Sequence, residues 1–406
     1  MRHVIIGAGL AGAKAAQTLR DEGFDGDITL IGTEAELPYE RPPLSKGLLL
    51  GSTPRDEIYV HKSNWYAESS VQVRTATTVV DIDRNAHRIT TEAGDQLGYD
   101  KLLLATGSSP RRLGVPGADL DGVRYLRTLA DSDRISSALL DGVHVLIVGA
   151  GWIGLEIAAA ARTRGADVTV VETASLPLLG VLGADLARVF ADLHRANGVR
   201  FHFDAQVSRF DGDGSVRSVV LADGTTLPAD VVVVGVGARP NDDLAVRAGL
   251  DVGNGVVVDS QHRTSDPDIF AAGDVACAFH PVFGRHIRTE HWANALDGGP
   301  EAARAMLGLP VPGDRLPFFF TDQYDLGAEY AGFAAPGDAD ELVIRGDLDR
   351  REFVAFWTRS GRVLAGMNVN VWDVTDDIQR LIRTRQPVDL GVLADASVPL
   401  SDVQPR

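Results

Sequence analysis

The chain has 406 residues, 45% hydrophobic and 23% charged, with 39 Lys and Arg against 56 Asp and Glu and a net charge of −17. That length implies two or three globular domains, and so acidic a surface disfavours nucleic acid and anionic membranes as partners. The single cysteine, Cys277, leaves no intrachain disulfide, no thiolate-held iron–sulfur cluster and no CxxC redox pair.

No apolar stretch reaches the length of a membrane span and no signal-like segment precedes the first strand, so a cytoplasmic protein is expected. The run Val4-Ile5-Ile6 predicts a buried strand that turns into a helix through Gly7-Ala8-Gly9-Leu10-Ala11-Gly12. In such a turn the glycines let the backbone bend tightly and approach a pyrophosphate lying on the helix N-terminus. The next strand ends Ile31-Gly32-Thr33-Glu34, where either Thr33 or Glu34 is positioned to meet a ribose. Alternation at Val71 and Val73, with the run Val79-Val80-Asp81-Ile82, predicts a small antiparallel sheet. Leu102-Leu103-Leu104-Ala105-Thr106-Gly107 follows, and Pro110, Pro116 and Gly117 mark a crossing between domains.

Val145-Leu146-Ile147-Val148 and Gly149-Ala150-Gly151-Trp152-Ile153-Gly154 then repeat the strand and its fingerprint. Val170-Val171-Glu172 ends the following strand at the spacing of a carboxylate that grips a ribose diol. Thr173-Ala174-Ser175-Leu176 offers no cation for a 2′-phosphate, which favours NADH over NADPH. A buried strand at 231–234 ends in Gly235-Val236-Gly237, and Ile269-Phe270-Ala271-Ala272-Gly273-Asp274 resumes the first domain. There Asp274 is suited to a ribityl hydroxyl. From Pro317, short strands at 342–344, 353–357 and 362–365 and a helix around 377–383 predict a small α+β domain. Two nucleotide folds in one chain point to a redox enzyme with one tightly bound FAD and one exchangeable NADH, and no metal site is expected.

Longer segments carry a resemblance. Pro38-Tyr39-Glu40-Arg41-Pro42-Pro43-Leu44-Ser45-Lys46, Tyr125-Leu126-Arg127-Thr128, Glu290-His291-Trp292-Ala293-Asn294-Ala295, Asp322-Gln323-Tyr324-Asp325 and Gly366-Met367-Asn368-Val369-Asn370-Val371-Trp372 are similar to segments of the FAD-dependent ferredoxin reductases. These enzymes pass electrons from NADH to the ferredoxins of bacterial haem-thiolate monooxygenases and aromatic-ring dioxygenases, and belong to the pyridine nucleotide-disulfide oxidoreductase superfamily. The resemblance spans essentially the whole chain. It implies an α/β fold of two Rossmann-like, glutathione-reductase-like dinucleotide-binding domains plus a C-terminal α+β domain. The boundaries expected are 1–114 with 238–316 for a discontinuous FAD-binding domain, 115–237 for the NADH-binding domain and 317–406 for the last.

The resemblance also implies roles. FAD would be held by Gly7, Gly9, Leu10, Ala11, Gly12, Thr33 or Glu34, Arg41, Lys46, Val79, Ala105, Thr106, Gly107, Arg127, Gly273, Asp274 and the helix start at Trp292. NADH would be held by Gly149, Gly151, Trp152, Ile153, Gly154, Glu156, Glu172 and Gly237. Lys46 and Glu156 would pair near flavin N5, where hydride arrives, and the Trp292 helix end would face the charge building at N1/O2. The pattern is broken in three places. His291 stands where a small residue is expected, Thr33 where an acid is usual, and Phe318-Phe319-Phe320 where some relatives carry a tryptophan. The three phenylalanines read equally as core or as a wall beside the flavin.

A disulfide reductase or peroxidase would need a cysteine in the segment Arg41-Pro42-Pro43-Leu44-Ser45-Lys46, which has none, and Cys277 reads as a packing residue. Monodehydroascorbate-type and apoptosis-inducing-factor-like NADH flavoproteins are the remaining alternatives. A [2Fe–2S] ferredoxin is commonly acidic, as is this chain, so docking calls for a local basic face. Arg285, Arg288, Arg380, Arg383 and Arg385 are the candidates.

Overall fold

The computed structural model describes residues Met1–Arg406, which form two compact units. The first comprises Met1–Glu40, Arg55–Ser109 and Arg239–Phe319; the second comprises Arg41–Pro54, Pro110–Ala238 and Phe320–Arg406.

The first unit is built on a parallel sheet in the order Ile269–Ala271, Lys101–Leu104, Arg2–Ile6, Asp27–Ile31, Val71–Arg74. Its central strands carry the apolar runs Val4-Ile5-Ile6, Leu30-Ile31 and Leu102-Leu103-Leu104 where both faces are covered. Ile5, Leu103 and Phe270 point to one core with Ala15, Leu19 and Ala302 from two helices. Val4, Ile6, Leu102 and Leu104 point to the other core, with Val79, Ile82 and Ile89 from a three-stranded antiparallel sheet. The helices Leu10–Asp21 and Trp292–Met306 approach closely, since a Cβ on Gly299 would lie 2.2 Å from the Ala11 carbonyl oxygen.

One expectation is corrected here. Val71 and Val73 do not belong to the antiparallel sheet formed by Val79–Asp83; they lie on the edge strand of the parallel sheet. The strand carries Gln72 exposed between the two valines, and half-burial at an edge produces the alternation that a separate antiparallel sheet would also show.

The second unit repeats the plan in the order Arg200–His202, Asp167–Val171, His144–Val148, Val231–Val234, Val123–Arg124. Leu146, Val148, Val232 and Val234 pack on Phe210, Val216 and Val219 of a second antiparallel sheet. From Phe320 onward the same unit contains a five-stranded sheet in the order Phe318–Gln323, Leu326–Gly332, Arg362–Val369, Glu352–Arg359, Glu341–Asp347. Helix Thr375–Thr384 buries Ile378, Leu381 and Ile382 and covers it, with Gly366 leaving room for Ile378. No helix is long and apolar enough to cross a membrane.

Candidate functional site

In the first unit the turn after Arg2–Ile6 is sterically determined. Gly7 has φ +118°, and a Cβ there would lie 2.0 Å from the Ala105 carbonyl oxygen. The fingerprint is thereby pressed onto the Ala105-Thr106-Gly107 segment. Asn241 clamps that segment, donating to Thr106 O at 2.8 Å while Ser109 Oγ donates to its Oδ1 at 2.7 Å. Gly9 is different: it caps helix Leu10–Asp21 in an extended conformation, no side chain caps the helix, and a Cβ would meet nothing within 4 Å. The unpaired N–H groups of the first turn therefore open onto free space.

At the strand end, Glu34 accepts a hydrogen bond from the Tyr39 hydroxyl, and exposed Thr33 has its hydroxyl 3.4 Å from that of Thr78. Val79 is buried beside this corner. Asp274, on the turn Gly273–Val275, is buried and accepts from Ser108 Oγ at 2.8 Å. Helix Trp292–Met306 starts without a side-chain cap at His291. Burial pushes His291 down to about 4, against the opposing pull of Asp274, so the ring is neutral at pH 7. Its departure from the family pattern therefore adds bulk to this helix start and no charge.

The second unit shows the same turn. Gly149 has φ +99°, with a Cβ position 2.4 Å from Gly235 O, while Gly151 caps Trp152–Thr163 with open space where a Cβ would sit. Glu172 is already committed to this loop. Its Oε2 accepts from Ala150 N at 2.7 Å, and its Oε1 accepts from Ala174 N at 2.9 Å. Trp152 packs edge-on against Phe190, Ile153 is half exposed, and Gly237 O accepts from Arg111 N.

The same unit brings Lys46 and Glu156 together, with Nζ to Oε1 at 2.7 Å. Lys46 follows the short 3-10 turn Pro42–Ser45 and keeps 18% of its side chain exposed, against 6% for Glu156. Two further donors escaped the sequence reading. Ser45 Oγ donates to Glu156 Oε2 at 2.6 Å, and Thr321 Oγ1 donates to Oε1 at 2.7 Å. Lys46 Nζ also lies 5.3 Å from the Phe320 ring centroid, close enough for a cation–π contact. Burial raises the Asp322 carboxyl against the pull of Lys46, with Glu156 adding to the rise. Arg41 donates to the carbonyl of Arg127, which joins those two expected phosphate-side residues.

Two docking candidates are also engaged within the fold. The Arg288 side chain is only 8% exposed, bonded to Glu290 and to the Asp274 carbonyl, so it braces the Asp274 turn. Arg380 donates to the carbonyls of Leu400, Ser401 and Val403 and fastens the C-terminal segment. Arg288 is taken up by one backbone oxygen and the Glu290 and Asn254 side chains, Arg380 by three backbone oxygens and Asp377. Arg285, Arg383 and Arg385 are exposed. Cys277 is buried, and burial pushes its thiol up, away from the reactive thiolate form.

The residues present fit two dinucleotides. Each unit offers an uncapped helix start with an open glycine seat; the second adds Glu172 at the adjacent strand end, while Glu34 in the first is turned to Tyr39. Comparison with known proteins agrees. Residues 1–299 match the pyridine nucleotide-disulphide oxidoreductase family and residues 318–404 match the reductase C-terminal family. The chain is 41% identical to a probable ferredoxin reductase of Castellaniella defragrans, covering 90% of this chain and 89% of that protein. It is 37% identical to rhodocoxin reductase of Rhodococcus erythropolis, covering 98% and 93%. Among solved structures it is similar to the covalent putidaredoxin reductase–putidaredoxin complex, with 36% identity, TM-score 0.95 and coverage of 99% and 97%. The chain belongs to the pyridine nucleotide-disulphide oxidoreductase family, as an NAD-linked flavoprotein of its ferredoxin reductase branch.

Proposed function

We propose that this protein is the ferredoxin reductase of an oxygenase system, taking hydride from NADH through FAD and passing electrons singly to a [2Fe–2S] ferredoxin. Bound FAD supplies the chemistry, since it accepts a hydride and releases electrons one at a time. The chain supplies binding and electrostatics. The Gly7–Gly12 turn, Asp274 and the Trp292 helix start are assigned to FAD within a domain of residues 1–114 and 238–316. The Gly149–Gly154 turn and Glu172 are assigned to NADH within residues 115–237, and residues 317–406 form the third domain. Lys46 and Glu156 are assigned to the hydride-accepting end, and Arg41 and Arg127 to the phosphates. The cytoplasm is the expected compartment.

One observation carries the reading: each of two separate nucleotide folds presents an uncapped helix start whose glycine faces open space. A disulfide-exchange chemistry has no support, because the segment from Arg41 to Lys46 lacks cysteine. The test is anaerobic NADH addition to the purified yellow protein, followed by cytochrome c reduction with and without an added [2Fe–2S] ferredoxin. Bleaching by NADH and strongly ferredoxin-dependent cytochrome reduction are expected. Cytochrome reduction that ignores the ferredoxin would reject the assignment.

A further inference from the structure

The Lys46–Glu156 pair heads a longer buried network within the second unit. Behind Thr321, Gln323 Nε2 donates to Thr321 Oγ1 at 3.1 Å, and Gln323 Oε1 lies 2.8 Å from His194 Nε2. Thr321 and Gln323 alternate on strand Phe318–Gln323 and so share a face. Glu156 comes from helix Trp152–Thr163 and His194 from helix Ala184–Ala196. All four side chains are buried, His194 completely.

Chemistry fixes the direction of every bond. Glu156 Oε1 accepts from the Lys46 ammonium, which has only protons to give, and Thr321 spends its one hydroxyl proton on the same oxygen. The Thr321 lone pair then takes a Gln323 N–H, which turns the amide oxygen toward His194 and requires hydrogen on Nε2. Burial pushes His194 down to about 4, against the upward pull of the Gln323 bond, so at neutral pH the ring has a single N–H. Its Nδ1 has no hydrogen-bond partner, consistent with a bare lone pair there. All donors point toward Glu156. A carboxamide could pass a proton along only through an unfavourable imidic tautomer, so the array is a fixed dipole chain and no proton wire.

We propose that Thr321, Gln323 and His194 are positioning residues that hold the Glu156 carboxylate as an acceptor aimed at Lys46. Their use in catalysis rests on the function proposed above; the positioning itself does not. Lys46 is bonded to this carboxylate, and Asp322 feels it, its own carboxyl raised by burial with Glu156 and Glu329 adding to the rise.

The chain has four lysines, Lys14, Lys46, Lys62 and Lys101, so the FAD-loaded protein labelled at lysine ¹³Cε gives a countable spectrum, with K46R assigning Lys46. The Lys46 resonance, followed from pH 8 to pH 4, reports protonation of the carboxylate it touches, and D322N separates any contribution from Asp322. T321V, which deletes the hydroxyl at nearly constant shape, is expected to move that step up by about one pH unit. Q323L and H194F are expected to move it by progressively less, and T321S to restore the wild-type position. In anaerobic NADH mixing, T321V is expected to slow flavin bleaching about tenfold at saturating NADH with unchanged NADH affinity. A Lys46 step that stays in place in both T321V and Q323L overturns the proposal. Should T321V fail to fold, Q323L and H194F decide by the same spectrum. A wild-type protein that NADH cannot bleach, yet whose lysine step shifts as expected, refutes the proposed function and spares this inference.

Discussion

The two nucleotide folds obey the same steric rule at their glycine turns and differ just past the second strand. In both, the first glycine is locked against a carbonyl and the third residue of the fingerprint opens onto space. Strand register pairs Ile6 with Ile31 and Val148 with Val171, which makes Gly32 the counterpart of Glu172. A Cβ on Gly32 would sit 2.5 Å from that of Ala8, so the first fold closes its loop by direct contact and has no room for an acid there. The second closes it through the Glu172 carboxylate on Ala150 N. Under the proposed assignment the glycine signature sets the place of a pyrophosphate, while the residue just past the strand individualises each ribose seat.

The sharpest way to break the comparison is to exchange the glycine types. Gly7→Ala or Gly149→Ala forces a methyl group into a carbonyl at a positive φ, expected to cost about 3 kcal/mol or more. The first change should yield colourless, destabilised protein, and the second should abolish bleaching by NADH. Gly9→Ala and Gly151→Ala meet nothing, so the thermal midpoint of flavin-free protein should not move. Each should nonetheless weaken its own nucleotide, about 10-fold or more, by filling the seat. Retention of FAD by Gly9→Ala as tight as in wild type would show that the open cap is not where phosphate sits.

Acid exposes a weakness that both units share. His291 in the first and His194 in the second are held neutral with values near 4, mainly by burial. An unfolded histidine titrates near 6.5, so between 6.5 and 4 the unfolded chain binds protons that the fold refuses. The stability is fully present above 6.5 and falls as pH drops toward 4, by about 3 kcal/mol for each ring. Denaturant midpoints at pH 7 and pH 5 should show it, and His194→Gln or His291→Gln should each flatten the slope. A wild-type midpoint that is level across that interval would contradict the burial argument.

A smaller effect separates the ribose ends. Glu172→Gln keeps the shape but loses the charge that the loop N–H groups and a ribose diol both use. It should raise the KM for NADH roughly tenfold, with little change in kcat or flavin colour. Glu34→Gln, whose carboxylate is turned toward Tyr39, should leave FAD retention nearly unchanged. Equal responses in the two folds would erase the distinction drawn above.

What the sequence revealed follows from how local each constraint is. Both fingerprints were readable because a steric rule forces glycine at fixed offsets beside an apolar strand, whereas the helix start at Trp292 came only through family resemblance. Lys46 and Glu156 were paired only through family resemblance, being 110 positions apart. Ser45, Thr321 and Ser108 were missed, since each meets its carboxylate across 111 to 166 positions and no local pattern distinguishes a buried hydroxyl donor. The edge strand at Val71–Arg74 was misassigned because alternation reports half-burial and says nothing about the partner strand.

Arg285 and Arg288 carry the same lesson to the surface and permit the finest test. Three residues apart, they look alike as a basic patch. Arg285 is exposed, whereas Arg288 donates to the Asp274 carbonyl, to Glu290 and to Asn254. Arg288→Glu should therefore strip support from the Asp274 turn and place a second negative charge beside Glu290, so FAD retention and thermal midpoint fall before any docking effect is measurable. Arg285→Glu should leave both intact and spare NADH oxidation by a small dye. It should raise the KM for the ferredoxin a few-fold at low salt and converge on wild type as salt screens the surface. A salt-independent loss would mean that Arg285 acts through the fold, and no loss at low salt would move the docking face toward Arg383 and Arg385.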